Sequence, residues 1–175
     1  MTNNIPEESA LYTDIAKYQY ADSFAIPLHR IAIESWELIP AFFQSAPNWV
    51  DGLFILRNKI FGCIGLKTGN ENPRDFNPPY QIGQTIGLFR IMALSDAEVI
   101  LGEDDSHLDF RISLLLIPSD SGTRQLAIST LVKTKNKIGT AYFSIVKHFH
   151  RLIVPIMAKA MAKKLDGKLL PQHQS

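Results

Sequence analysis

The chain has 175 residues, 46% of them apolar and 20% charged, with a formal net charge of +1. That is enough for one hydrophobic core and short for two, and such proportions exclude disorder over the whole length. A charge this small exerts no global pull on nucleic acid or anionic lipid, and a single cysteine, Cys63, excludes a disulfide within the chain.

Residues 1–16 are polar and acidic, with Glu7, Glu8 and Asp14 where a signal peptide would be basic and then apolar. They are expected as a loosely held tail before a single domain over 17–166, with a second tail over 167–175. A lone thiol and no leader together predict a cytoplasmic location. The apolar stretches are broken by Arg57, Asn58 and Lys59 and again by Lys147, His148, His150 and Arg151. Neither approaches the roughly 20 uninterrupted apolar residues of a membrane span, so neither a membrane nor a nucleic-acid partner is expected.

Phe24, Ile26 and Leu28 alternate within 20–31 and predict a first strand. A helix over 33–43 follows, with Trp36, Ile39 and Phe43 on one face and Pro40 limiting its regularity. A second helix opens after Ser45, with Pro47 near its first turn. Trp49, Leu53, Leu56, Ile60 and Ile64 then recur at helical spacing. Gly69, Asn70, Asn72, Pro73, Asn77, Pro78, Pro79 and Gly83 break every periodicity over 67–84, which predicts a long loop pinned by Phe76 and Tyr80.

Strands are predicted over 86–94, 97–102, 107–117 and 124–134, joined by turn-forming segments at 95–96, 103–106 and 118–123. Connections this short force antiparallel neighbours. The last element is a long helix on which Tyr142, Ile145, Val146, Phe149, Leu152, Ile153, Ile156, Met157 and Ala160 form a single stripe expected to face the sheet. Gly139 precedes it, Pro155 should kink it, and Lys163, Lys164 and Lys168 suit its C-terminal dipole. This order of elements predicts an α+β fold, a curved antiparallel sheet wrapped around the C-terminal helix with two short helices after the first strand.

Chemistry-bearing residues concentrate in two places. Along 102–111, Leu108, Phe110, Ile112, Leu114 and Leu116 are expected to face the helix, and Asp105, His107, Asp109 and Arg111 the opposite side. Carboxylate, imidazole, carboxylate and guanidinium in a row suit a proton relay or a ligand clamp, and equally a solvated outer face with ion pairs. Residues two apart along a strand are a poor start for a metal cage, so no metal is expected. His148, His150 and Arg151 form the second group, on the long helix, with His150 beside its apolar stripe. Gly62-Cys63-Ile64-Gly65 lacks the Lys and Ser/Thr of a phosphate loop, no Gly-x-Ser-x-Gly occurs, and Cys63 reads as packing. From 133 to 168, nine Lys and Arg stand against one acid, Asp166, an electropositive end typical of a solvated helix C-terminus.

Several of these strings resemble one family. Leu56-Arg57-Asn58, Ile86-Gly87-Leu88-Phe89, the Gly102 to Arg111 hairpin with its His-Leu-Asp-Phe-Arg string, and Gly139, Tyr142-Phe143 and Phe149-His150-Arg151-Leu152-Ile153 resemble the domain-of-unknown-function family 2867. The resemblance runs from about Tyr20 to Ala160. That family is grouped with the Bet v 1-like, START-like superfamily. The resemblance therefore implies a helix-grip fold and a pocket for an apolar small molecule between sheet and helix. Some members of the superfamily are enzymes, such as polyketide cyclases, and related domains occur behind dinucleotide-binding dehydrogenase domains. No Gly-x-Gly-x-x-Gly follows a strand here, so no cofactor is expected, and the resemblance carries over no catalytic residue.

The expected function is binding of an apolar or amphipathic small molecule, lined by Phe89, Ile91, Leu108, Phe110, Leu126, Ile128, Phe149 and Ile153. Arg57, Asn58, Asp105 and Arg111 are the candidate polar contacts. The alternatives are a cyclase- or hydratase-like enzyme using an Asp–His pair, Asp109 with His107 or His150, and a homodimeric interaction module partnering an oxidoreductase.

Overall fold

The computed structural model describes residues 5–47, 78–119 and 122–167. The expected second helix, most of the 67–84 loop and the tail beyond Gly167 lie outside the described residues, as do Arg57 and Asn58. Alternating inward apolar side chains build six strands: β1 Tyr20–Leu28, β2 Thr85–Ile86, β3 Phe89–Leu94, β4 Glu98–Asp104, β5 Leu108–Pro118 and β6 Arg124–Thr134. They form one antiparallel sheet in the order β1-β6-β5-β4-β3-β2. The hairpins put β3 to β6 side by side in sequence order, and β1 closes the far edge on β6, Tyr20 opposite Val132 and Leu28 opposite Arg124. The sequence alone predicts a single strand over 86–94. Instead Gly87, at φ 61°, reverses the chain and pairs Ile86 with Phe89.

The predicted helix over 33–43 is a 3₁₀ turn, Ser35–Glu37, running into a short α1, Leu38–Phe43. Its buried side is Leu38, Ile39, Ala41 and Phe42, while Trp36 is exposed. The C-terminal helix, α2, spans Lys137–Gly167 and contains Pro155. Only two residues separate it from β6, so it turns back over β6 and β1 and runs the length of the sheet. Both ends are fastened. At the start, Asn136 caps it, its Oδ1 accepting from Gly139 N–H at 2.9 Å. At the far end, Asp166 Oδ1 accepts from the backbone N–H groups of His29 and Arg30 at 2.9 and 3.0 Å.

Val154, Met157, Ala158, Met161 and Leu165 of α2 meet Leu28, Leu114, Leu116, Leu126 and Ile128 of the sheet and Ile39 and Phe42 of α1 in the main core. This corrects the single stripe expected from the sequence. Ile145, Phe149, Leu152 and Ile156 are 58, 39, 63 and 49% exposed. At 100° per residue they lie roughly half a turn away from His150, Val154, Met157 and Met161. The helix carries two apolar stripes, and their merged spacings read as one broad pattern.

The N-terminal segment is also corrected. The tail was expected to be loose over 1–16, whereas residues 5–16 pack on the convex face of the sheet. There Ile5 and Leu11 are buried against Ile100 and Leu131, and Tyr12–Lys17 forms a 3₁₀ turn. Buried Glu98 fastens this strap. Its Oε1 accepts from the hydroxyls of Ser9 and Ser113, both at 2.5 Å, and its Oε2 from Ala10 N–H at 2.9 Å. A buried carboxylate with three donors is a stable arrangement, whereas the same group unpaired would be costly. Among the described residues, no helix is long and apolar enough to cross a membrane.

Candidate functional site

Strand parity sorts the predicted site residues onto two faces. The inward set, Leu108, Phe110, Ile112, Leu114 and Leu116, lies on the concave face as expected, with Leu114 and Leu116 fully in the core. The helix, however, covers β1 and β6, and Phe89, Leu108, Phe110 and Ile112 are half-buried on the part of that face that α2 does not cover. Ile91, Leu126 and Ile128 are buried in the core, Ile153 packs against it, and Phe149 points away from the sheet. Edge-to-face rings run across this part: Phe42 to Phe89 at 5.8 Å, Phe43 to Phe89 at 5.4 Å and Phe89 to Phe110 at 5.6 Å.

The polar residues of the 105–111 stretch stand on the other side, and their partners are structural. Asn136 Nδ2 lies 2.8 Å from His107 Nδ1 and 3.2 Å from the Ser106 carbonyl oxygen, and the Lys135 N–H donates to the His107 carbonyl at 2.8 Å. His107 thereby anchors the start of α2. Asp109 pairs with Lys135 at 2.6 Å and Arg111 with Asp104 at 2.7 Å. The Asp105 carbonyl accepts from Lys135 Nζ at 2.7 Å. This row is a hydrogen-bonded outer face around a helix start. Among the described residues, no group of three or more His, Cys, Asp and Glu side chains is placed to hold a metal.

His150 does meet a carboxylate, but it belongs to Asp22, not Asp109. Its Nε2 lies 3.2 Å from Asp22 Oδ1, and the phenol of Tyr20 donates to Asp22 Oδ2 at 2.6 Å. Asp22 is buried and the His150 side chain is 17% exposed. Tyr20 also packs edge-to-face on Phe143, ring centroids 5.0 Å apart. Burial, then the hydrogen bond and charge of Asp22, push the Tyr20 phenol up to about 12, against the opposing Arg151 guanidinium. Thr130 is the register partner of Asp22, and its buried hydroxyl has no hydrogen-bond partner among the described residues.

Asp22 and Thr130 occupy inward positions on strands whose other inward residues include Phe24, Ile26, Leu28, Leu126, Ile128 and Val132. That is the signal the sequence carried: an acid interrupting an apolar alternation. Pairing it with His150 needed the tertiary structure, because 128 residues separate the two. Across the sheet, one ladder row reads Asp22, Thr130, Ile112, Leu101, Ile91, and the adjoining row contains Tyr20, Val132 and Phe110. The polar trio therefore stands at one end of a concave surface whose other end is aromatic. On α2, Val146, His150 and Ile153 share the flank that turns toward this surface. A second concavity, an open depression of about 520 Å³ near Ala41, Gln44 and Lys164, brings together no acid, histidine or hydroxyl.

The model of the DUF2867 family, proteins of unknown function, matches residues 15–157, and the chain belongs to that family. The matched span takes in β1 to β6 and α2 as far as Met157, so it includes Tyr20, Asp22, Thr130 and His150. No curated protein matches the chain.

Proposed function

We propose that this protein binds an apolar or amphipathic small molecule in the groove between the concave sheet face and the flank of α2, as a helix-grip domain of START-like type working in the cytoplasm. The observation that carries the reading is the uneven concave face: half-buried Phe89, Phe110 and Ile112 at one end, and at the other buried Asp22 with half-buried Tyr20 and His150. Binding sites of this kind are largely apolar with a few convergent polar groups that orient the ligand. Sheet order, helix placement and the family match are consistent with the helix-grip assignment.

Titration with the neutral fluorescent probe N-phenyl-1-naphthylamine, read by fluorescence and by melting temperature, tests it. A ligand held only by the folded state raises Tm by mass action. Saturable binding with a raised Tm, both lost in Phe110→Arg, is the expected result. Binding unchanged by Phe110→Arg would place the probe elsewhere and overturn the assignment.

The stripe of Ile145, Phe149, Leu152 and Ile156 favours a second reading, a homodimer formed through the outer ridge of α2. Sedimentation equilibrium of the chain and of Leu152→Glu tests it: a dimer that the charge dissociates supports it, and a monomer in both rejects it.

A further inference from the structure

The hydrogen-bonding state of the trio specifies the head group of the ligand. Asp22 accepts at both oxygens, from Tyr20 at 2.6 Å and from His150 at 3.2 Å. In the neutral imidazole, that second bond holds the ring proton on Nε2 and leaves a lone pair on Nδ1, which makes no hydrogen bond among the described residues. The donors of Tyr20 and His150 are thus spent on Asp22, the Tyr20 oxygen is served by the Arg151 guanidinium, and what remains for a newcomer is the Nδ1 acceptor. Beside them, the Thr130 hydroxyl is buried and unsatisfied, a cost that folded proteins rarely leave standing.

A carboxylate or phosphate head meets the buried carboxylate of Asp22, and the guanidinium of Arg151 is already engaged with the Tyr20 oxygen. An ether or a hydrocarbon leaves the imidazole acceptor unmatched. A neutral hydroxyl answers both leftovers, donating its proton to Nδ1 and accepting from Thr130 at its oxygen. We propose that the Tyr20–Asp22–His150–Thr130 cluster recognises the hydroxyl group of a ring-bearing ligand, a phenol or alicyclic alcohol whose apolar body lies toward Phe110 and Phe89. This rests on the groove reading above and adds the chemical class of the ligand.

The test compares β-naphthol with its methyl ether, two bodies of nearly equal shape of which one can donate. Isothermal titration of the wild-type chain should show β-naphthol bound about tenfold more tightly, the worth of one hydrogen bond. His150→Phe, which keeps a ring and removes the acceptor, should bring the two within about threefold by the same measure. Thr130→Val removes a hydroxyl that has no partner and should fold at least as well as wild type. It should weaken both compounds alike, since both carry an acceptor oxygen. Equal binding of the two compounds to wild type overturns the hydroxyl assignment and leaves the groove standing. That comparison needs no variant, so it decides even if His150→Phe fails to fold. Discrimination that survives in a folded His150→Phe also overturns it. Failure of both compounds to bind overturns the groove reading itself, and the inference with it.

Discussion

Gly139 of α2 lies directly against the backbone of His107: a β-carbon at this position would overlap the His107 carbonyl oxygen, a contact with no flexible side chain to give way. The helix start and the β4–β5 turn therefore meet backbone to backbone. Gly139→Ala should lose about 1–3 kcal/mol to overpacking, offset by at most about 1 kcal/mol of helix propensity. Gly167→Ala, with open space around its β-carbon, should be neutral or slightly stabilising. Urea midpoints of the two variants compare them directly, and equal midpoints would contradict the close approach.

Asn136 serves the same junction in two ways, capping Gly139 with its oxygen and donating to Ser106 and His107 with its nitrogen. Asn136→Ala should cost about 1 kcal/mol or more from the cap alone. Asn136→Asp keeps the acceptor and loses the donor, so its chemical-denaturation midpoint should fall between those of wild type and the alanine variant.

The N-terminal strap and Glu98 should behave as one unit. Glu98→Ala removes a buried charged acceptor and should cost about 2–3 kcal/mol. Deletion of residues 1–11 should cost a comparable amount, and the double variant should lose clearly less than the sum of the two. Additive losses in a double-mutant cycle would show that the strap is held by something else.

Tyr20 should ionise near pH 12 in an ultraviolet titration, well above the ordinary tyrosine value of about 10. The unfolded phenol loses its proton near 10, so between the two values the folded state binds more protons and stability falls as pH rises. The contribution is complete below pH 10 and gone above 12. Tyr20→Phe should remove both the late absorbance step and this part of the alkaline destabilisation. A Tyr20 that ionises with the exposed tyrosines would contradict its bond to Asp22.

Packing separates two residues that the sequence placed in the same lining. Leu126, fully buried, should lose about 2–5 kcal/mol on truncation to Ala, and Phe149, on the outer ridge of α2, far less. Thermal melts of the two variants check this, and a comparable drop in Tm would place Phe149 in the core after all.

The α+β class, the antiparallel run, the inward parity of β5 and the long C-terminal helix were all legible in the chain. Each follows from local rules: period-two alternation, short turn-rich connections and apolar spacing along a helix. Where a strand position alternates, its face is decided by the pleat. Alternation therefore separates His107, Asp109 and Arg111 from the apolar set of β5, and the structure shows which of the two faces meets the helix.

What local rules cannot supply is which distant elements meet. The two apolar stripes of α2 have the same periodicity, so only docking on β1 and β6 shows that Met157 and Met161 are core while Leu152 faces outward. The strap over the convex face depends on a carboxylate at 98 meeting a hydroxyl at 9. The Asp22–His150 pair depends on α2 turning back over the first strand of the sheet. Hydrophobic pattern determines that a residue is covered, but the partner of a polar group is set by the path of the whole chain. That is why the sequence reading passed over Asp22, and only the tertiary structure made it half of a site.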